Sequence, residues 1–263
     1  MVVWGFAAAS GEEYTLHLRS RLQPFKSIDQ WQVVTLDRKF DPKSAAIVIC
    51  DMWDKHWCPT AAERVRELAV RMDPVLKTAR QAKILIVHAP SDTIRFYENY
   101  PQRKHIAEAP KITPPKELNL TDPPLPIDDS DGGCDTHGPQ SQIVWSRENA
   151  LLTIGLNDVI SDNGLEIYSY LRGKGVHTVF MMGVHTNMCV LNRTFAIKQL
   201  SRWGMQCILV RDMTDAMYDP ADRPYVSHRQ GTELVIEHIE KYWCPTTLSA
   251  EFTAALTHGA EQR

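Results

Sequence analysis

Short apolar runs alternate with stretches of helical periodicity along most of this chain. Buried strands are predicted for apolar runs at residues 45–50, 84–87, 143–145, 178–182 and 206–210. Helices are predicted where apolar residues recur at helical spacing, at about residues 61–81, 164–172, 187–203 and 231–242. Strands without a polar face that alternate with amphipathic helices are typical of a parallel sheet covered on both sides. We therefore predict an α/β fold, a three-layer αβα sandwich around a parallel sheet of about six strands.

Two parts of the chain depart from this rhythm. Near the N-terminus, alternation of apolar and polar residues at 14–18 and 31–36 predicts a β-hairpin. Residues 91–142 are rich in proline and turn residues, and we interpret this long insertion as a lid or a subunit-contact segment. The predicted division of the chain is an extension at residues 1–42, a main domain at 43–250 and a tail at 251–263.

Composition narrows the class of partner. Apolar residues make up 43% and charged residues 23% of the 263 residues, which is typical of a globular protein. The formal net charge of −3 offers no basic surface of the kind that attracts nucleic acid or an anionic membrane. No apolar run approaches the ~20 residues that a membrane-spanning helix needs. We expect a small-molecule partner, and neither nucleic acid nor a membrane.

The six cysteines are spread along the chain without a C-x-x-C pair. Neither a zinc ribbon nor a thioredoxin-type motif is therefore expected. In a chain of this length we expect free thiols rather than a disulfide framework, and a reducing, cytoplasmic location. Residues 1–10 are apolar and end in small residues, which leaves a trimmed export signal as the alternative.

Three residues that can do chemistry come at or just after predicted strand ends: Asp51, His88 and Cys189. Ligands bind beyond the carboxyl ends of parallel strands. Cys189 also falls in the first turn of a predicted helix, where unpaired N–H groups favour a thiolate and can receive an oxyanion. A buried structural cysteine and a turn-capping aspartate are the alternative interpretations of Cys189 and Asp51.

The segment Gly-Val-His-Thr-Asn-Met-Cys-Val at residues 183–190 is similar to the nucleophile motif of isochorismatase-like cysteine hydrolases. The resemblance implies a Rossmann-like parallel sheet, a Cys/Asp/Lys triad with Cys189 as the nucleophile, no cofactor, and a homo-oligomer. It also implies a cis peptide bond between Val184 and His185. The backbone N–H groups of His185 and Cys189 would then form the oxyanion site.

The first predicted strand carries a second part of the resemblance. Ala-Ile-Val-Ile-Cys-Asp-Met-Trp-Asp at residues 46–54 looks like the opening strand of that family, which makes Asp51 the triad carboxylate. A carboxylate at a buried strand end is costly unless it has a partner or a task. Beside a cysteine it can accept the thiol proton and later pass it to the leaving group. The resemblance extends over about residues 45–245.

The third member of the triad departs from the family pattern. The family places a lysine some tens of residues before the cysteine, and no lysine lies between Lys116 and Lys174 here. Arg147 lies in the corresponding region and is our candidate for this positive charge, although an arginine does not readily exchange a proton. The alternative is that Arg147 is a surface or salt-bridge residue.

Further residues are candidates for the pocket or for a metal. The pocket candidates are Trp53, Trp57, His88, Tyr97, His185 and Asn187. The nicotinamidase branch of the family binds a divalent ion through an Asp-x-His…His cluster after the second strand, and that spacing is missing here. Our expectation is no metal, with Asp54, His56 and His88 as the remaining candidate ligands.

Together these residues predict a cysteine-dependent hydrolase of a small amide, ureide or related carbonyl compound, acting through a thioester-type intermediate. Because the triad lysine is missing, a degenerate member that binds a small molecule without turnover is the alternative. The vinyl-ether chemistry of true isochorismatases is a further alternative. Cys189 counts against it, because those enzymes lack the catalytic cysteine.

Overall fold

The computed structural model describes residues 14–25, 29–136 and 142–261, with side chains described as far as residue 257. The export-signal alternative concerns residues 1–10, which lie outside this range. The strands are β1 (Tyr14–Leu22), β2 (Gln32–Phe40), β3 (Ala45–Cys50), β4 (Leu85–Ala89), β5 (Val159–Ile160), β6 (Thr178–Val184), β7 (Gln206–Asp215) and β8 (Thr246–Thr247). The helices are α1 (Pro59–Gln81), α2 (Pro101–Ala107), α3 (Gly164–Gly173), α4 (Cys189–Asn192), α5 (Ile197–Arg202), α6 (His228–Tyr242) and α7 (Ser249–Glu261).

The strands form one sheet in the order β2-β1-β8-β7-β6-β3-β4-β5. The six strands from β8 to β5 run parallel to one another. The predicted αβα fold with a parallel sheet of about six strands is confirmed. At one edge, β1 and β2 form an antiparallel hairpin, and β1 joins the sheet through a single antiparallel pair with β8.

The central strand β3 is buried on both faces, as its continuous apolar sequence predicted. Its side chains alternate, so that Ile47 and Ile49 pack in the layer that holds α1 and α7. Val48 and Cys50 pack in the opposite layer, which holds α3 and α6. Both layers anchor β3 firmly, and its carboxyl end is therefore a fixed platform for the residue that follows it.

The edge strand after the long insertion lies later in the chain than predicted. No strand forms at residues 143–145, where Ile143 and Val144 are exposed to solvent. The edge position is taken by β5, in which Val159 and Ile160 are buried and pair with β4. The two residues of β5 are too few to show a periodicity, whereas the apolar run at 143–145 is apparent in the sequence.

The helix predicted over residues 187–203 is divided into α4 and α5. At Arg193 the backbone is extended, with φ −61 and ψ 155, and α5 begins only at Ile197. The intervening turn packs against the start of α3, where the N–H of Gly164 donates a hydrogen bond of 3.0 Å to Thr194 Oγ1. The break places Arg193 at the end of a short helix beside Cys189.

Cys58 and Cys134 form a disulfide bond across 76 positions of sequence, which corrects the expectation that the cysteines are free thiols. The bond ties the start of α1 to the long insertion. The remaining four cysteines are free. The expectation of a reducing compartment rested partly on the absence of disulfides, and that part of its support is removed. The cytoplasmic location stays a prediction.

The last part of the long insertion lies against the loops at the carboxyl edge of the sheet. Gly132 packs on the ring of Trp57. Gly133 has φ +66, and its backbone approaches the carbonyl of Met217 so closely that a Cβ would collide there. Whether the insertion acts as a lid or as a subunit contact stays a prediction.

Among the described residues, no helix is long and apolar enough to cross a membrane.

Candidate active site

Asp51 and Cys189 meet at the carboxyl ends of two neighbouring central strands. Asp51 directly follows β3, and Cys189 begins α4 shortly after β6. From β3 the chain continues to β4 on one side, and from β6 it continues to β7 on the other side. Open parallel sheets bind ligands in the crevice between two strands whose connections diverge in this way. The thiol of Cys189 and the carboxyl group of Asp51 are close enough that each shifts the pKa of the other. The two residues identified from sequence as nucleophile and proton acceptor are therefore in contact.

The carboxyl group of Asp51 is fully buried and held on both oxygens. Oδ1 accepts a hydrogen bond of 2.7 Å from the N–H of Ser91, and Oδ2 accepts one of 2.9 Å from Nε of Arg193. Burial raises the pKa of Asp51, while Arg193 and the hydrogen bonds lower it; burial outweighs them, and the pKa lies above its ordinary value. The geometry suits a base that holds a proton more readily than a surface aspartate.

The positive charge beside this carboxylate comes from Arg193. Besides the contact with Asp51, its Nη2 lies 3.3 Å from Oδ2 of Asp92. Burial lowers the pKa of Arg193, but the negative partners Asp51 and Cys189 outweigh it and raise that pKa, so the guanidinium stays charged. Sequence reasoning missed Arg193. One signal pointed to it, since residues four positions apart share a helix face and Arg193 follows Cys189 at that spacing.

Arg147, the sequence-based candidate for this charge, lies elsewhere. Its Nε is 4.0 Å from Oδ2 of Asp54, and its guanidinium stands over the ring of Phe96, 5.6 Å from the centroid. Its side chain is 48% exposed, and it makes no ion pair with Asp51. The expectation that Arg147 lies beside Asp51 is therefore wrong: Arg193 is the cation that contacts Asp51, and the alternative of a salt-bridge residue describes Arg147.

The thiol of Cys189 is protonated at rest, in contrast to the thiolate expected from its helix position. Burial and the charge of Asp51 raise the pKa of Cys189 to about 12, although Arg193 and the N–H of His185, which donates to the sulfur, act in the opposite direction. Because α4 has only four residues, its dipole contributes little to stabilising a thiolate. A reaction at this sulfur would therefore require a base to take the thiol proton.

The turn before Cys189 directs backbone donors towards the sulfur. The peptide bond between Val184 and His185 is cis. The N–H of His185 donates to the Cys189 sulfur, and the N–H of Cys189 has no backbone acceptor among the described residues. Two donors thus lie next to the atom that would attack, an arrangement suited to an oxyanion site. Their role as such a site stays a prediction.

A cavity of about 500 Å³ opens beside Cys189. Asn187 is the predicted pocket residue that lines it. The side-chain amide of Asn187 also joins two loops, because Nδ2 donates to the carbonyl of Met217 (2.9 Å) and Oδ1 accepts from the N–H of Met217 (2.9 Å). The cavity is lined by Leu125, Asp129, Asn187, Met188, Cys189, Asn192 and Arg193.

The predicted pocket residues Trp53, Trp57 and His185 do not line this cavity. Trp53 is buried, stacks on Trp145 with 4.0 Å between ring centroids, and donates its indole N–H to the carbonyl of Ser91 (3.0 Å). His185 is also buried, and its ring meets that of His56 edge-on at 5.0 Å. Trp57, in the same loop after β3, packs against a small apolar cluster that contains Cys58 and Met217.

His88 and Tyr97, the other two pocket candidates, belong to a buried polar cluster away from Cys189. Nδ1 of His88 lies 2.7 Å from Oε2 of Glu148, and Nε2 lies 3.1 Å from Oδ2 of Asp158. The hydroxyl of Tyr97 accepts a 2.8 Å hydrogen bond from the N–H of Glu148. These contacts fasten the segment before β5 to β4, and neither His88 nor Tyr97 lines the cavity beside Cys189, where both were predicted.

The three candidate metal ligands do not converge among the described residues. Asp54 accepts hydrogen bonds from the N–H groups of Ser146 and Arg147. Nδ1 of His56 accepts one of 3.1 Å from the N–H of Cys58, and His88 is held between Glu148 and Asp158. Each candidate therefore has a structural partner of its own.

The comparisons with known proteins identify the fold. No family model matches the sequence, and no curated protein matches it significantly. Among solved structures, a cysteine hydrolase from Pseudomonas syringae pv. phaseolicola 1448A is similar at a TM-score of 0.54 and 19% identity, with 84% of this chain and 95% of that chain covered. An isochorismatase family protein from Burkholderia thailandensis aligns at a TM-score of 0.48 and 16% identity, covering 83% and 97% of the two chains. The first likeness confirms the fold implied by the resemblance.

Proposed function

We propose that this protein is a cysteine-dependent hydrolase of a small amide, ureide or related carbonyl compound. The observation that carries the proposal is the chain of contacts from the Cys189 thiol to the Asp51 carboxyl group and on to the Arg193 guanidinium, at the wall of an open cavity. A nucleophile, an adjacent base and a group that orients the base are the parts that covalent catalysis requires. The shared fold with a cysteine hydrolase supports this reading.

Acylation couples proton loss to attack, because the raised pKa keeps the thiol of Cys189 protonated. Asp51 accepts the proton while the sulfur bonds to the carbonyl carbon and the π-electron pair moves to the oxygen. The N–H groups of His185 and Cys189 lie beside the resulting oxyanion. When this intermediate collapses, the C–N bond breaks, the leaving amine takes the proton from Asp51, and a thioester remains on Cys189.

Deacylation uses the same carboxylate. Asp51 accepts a proton from water as the water oxygen attacks the thioester carbon, and collapse breaks the C–S bond and returns the proton to the sulfur. Arg193 keeps Asp51 oriented and favours its charged form. Since an arginine does not readily lose a proton, Arg193 serves as a positioning residue, and protons move between Asp51, Cys189, the amine and water.

The test is hydrolysis of a panel of small amides and ureides by Cys189→Ala. We expect turnover to be lost. Cys207→Ala is the matched control, because Cys207 is a free, buried cysteine in β7 and has no contact with Asp51; it is expected to retain turnover. Hydrolysis by Cys189→Ala at the wild-type rate contradicts the proposal.

Binding without turnover is a second candidate function, favoured by the raised pKa of the resting thiol. The absence of the triad lysine from the sequence also favours binding alone. That argument is weakened because Arg193 supplies a positive charge beside Asp51. The two functions differ in one readout. A binder forms no covalent adduct on Cys189 with any amide, whereas the hydrolase passes through one.

A further inference from the structure

The cavity beside Cys189 contains two charged side chains, Asp129 and Arg193. The positive charge of Arg193 is already matched, because the guanidinium contacts the carboxylates of Asp51 (2.9 Å) and Asp92 (3.3 Å). An anionic substrate would therefore compete with two bound carboxylates for this one cation. The charge that remains available to a ligand in the cavity is the negative charge of Asp129.

Among the described residues, Asp129 has a single side-chain hydrogen-bond partner, and that partner is neutral. Its Oδ2 accepts a 2.7 Å hydrogen bond from Nδ2 of Asn187. Within residues 14–25, 29–136 and 142–261, no lysine, arginine or histidine forms an ion pair with it. The positive charge of Arg223 acts on the preceding residue, Asp128, whose pKa it lowers. A carboxylate that faces a cavity without a counter-ion attracts a cation into that cavity.

Asn187, in the turn that leads to Cys189, holds Asp129 in place. Asn187 lies two residues before Cys189, and its amide is held by both backbone groups of Met217. The second Nδ2 hydrogen therefore points at Asp129 in a defined direction. The carboxylate is thus tied to the same turn that carries the attacking sulfur, and its other oxygen, Oδ1, has no hydrogen-bond partner among the described residues.

From this geometry we propose that the cavity selects small amides or ureides that carry a positive charge, and that Asp129 recognises that charge. The inference rests on the proposed function and names the substrate class of the same site. An ammonium or guanidinium group on the acyl side of the substrate pairs with Asp129 while the carbonyl carbon faces Cys189. A carboxylate at the same place meets an unneutralised Asp129 and is excluded.

The first experiment compares three amides of similar length: 3-aminopropanamide, which is cationic, butanamide, which is neutral, and succinamate, which is anionic. We expect kcat/KM to fall in that order, with at least about a tenfold gap between the cation and the neutral amide, as a charge-assisted hydrogen bond provides. In Asp129→Asn the amide retains an acceptor for Asn187 and loses the charge, so the preference for the cation is expected to fall towards one. Asp128→Asn changes net charge equally outside the cavity and is expected to keep the preference.

The second experiment reads the same preference without hydrolysis. Cys189 is labelled with 2-(trimethylammonio)ethyl methanethiosulfonate, a cation, and 2-sulfonatoethyl methanethiosulfonate, an anion, and each rate is divided by the rate on a free thiol in solution. We expect the cationic reagent to react faster with wild type and Asp128→Asn, and the difference to shrink in Asp129→Asn. Cys189→Ala gives the background from other thiols.

The outcomes separate the two proposals. If no amide is hydrolysed but labelling keeps the cation preference and its loss in Asp129→Asn, the hydrolase proposal fails and the charge recognition stands. If wild type hydrolyses the neutral or anionic amide best, or labels equally with both reagents, the inference about Asp129 is overturned. If Asp129→Asn fails to fold, these wild-type comparisons decide the inference alone.

Discussion

Nε of Arg193 donates a 2.9 Å hydrogen bond to Oδ2 of Asp51, and Arg193 follows Cys189 by four positions. The proposed nucleophile and the cation that contacts its proposed base are therefore carried on one short segment. Arg147, which lies in the region where the family pattern places a lysine, makes its ion pair with Asp54 instead of this carboxylate.

Replacing Arg193 tests this arrangement. In Arg193→Gln the charge that lowers the pKa values of Asp51 and Cys189 is lost, so both are expected to rise and kcat/KM at neutral pH to fall by about tenfold or more, in line with the ~1 to 3 pKa units that a neighbouring opposite charge supplies. Arg193→Lys is expected to recover part of the loss. Arg147→Gln is the control and is expected to behave as wild type; a larger loss in Arg147→Gln than in Arg193→Gln contradicts the assignment.

The dependence of activity on pH follows from the raised pKa of Asp51. The base must be ionised to accept the thiol proton, so kcat/KM is expected to rise with pH along an acid limb that lies above the ordinary aspartate value of 3.8. In Arg193→Gln this limb is expected to move to higher pH. A pH–rate profile measured on both proteins checks the direction, and a limb that moves to lower pH argues against a base supported by Arg193.

The disulfide is expected to contribute strongly to stability, because it closes a loop of 76 residues. Cys58→Ala together with Cys134→Ala is expected to lower the free energy of unfolding, measured by urea denaturation, by about 4.5 kcal/mol according to the loop-entropy relation. Reductant is expected to destabilise wild type by a similar amount and to leave the double variant unchanged. Six titratable thiols in unreduced, denatured wild type would show that the bond does not form.

The buried cluster around His88 predicts a loss of stability on the alkaline side. Burial lowers the pKa of His88, but Glu148 and Asp158 outweigh it and raise the pKa to about 9. A raised folded-state pKa stabilises the protein fully below about pH 6.5, the unfolded value, and this contribution disappears as pH rises through about 9. The free energy of unfolding is expected to decline over that window in wild type and less steeply in Glu148→Gln. Equal slopes would contradict a charged His88.

The parts of the site that could be predicted from sequence are those whose signal is local. Asp51 ends a continuous apolar strand, and Cys189 follows another within one recognisable segment, so the parallel sheet alone brings them to the same edge. Arg193 was missed because the family pattern directs the search for a cation to positions before the cysteine, where Arg147 lies. The helix predicted over residues 187–203 ends at Asn192. Its break depends on packing of Thr194 against Gly164, a contact between distant parts of the chain.

The remaining differences have similar tertiary causes. Asp129 lies in an irregular segment, and it is held at the cavity by a hydrogen bond from the distant residue Asn187. His88 ends a strand as Asp51 does, yet its partners Glu148 and Asp158 come from a segment without regular structure. Cys58 and Cys134 are joined across 76 positions with no characteristic spacing. Interactions of this kind are set by the folded chain, and periodicity in the sequence does not report them.

The most direct test of the central claim is intact-mass and peptide-level mass spectrometry of the protein quenched in acid during turnover of small amides. The account predicts an added mass equal to the acyl group on the peptide that contains Cys189, its loss on further incubation in water, and no adduct in Cys189→Ala. It also predicts slower formation in Asp51→Asn. Hydrolysis of an amide by wild type with no acyl adduct at Cys189, or with the adduct on another residue, would contradict it.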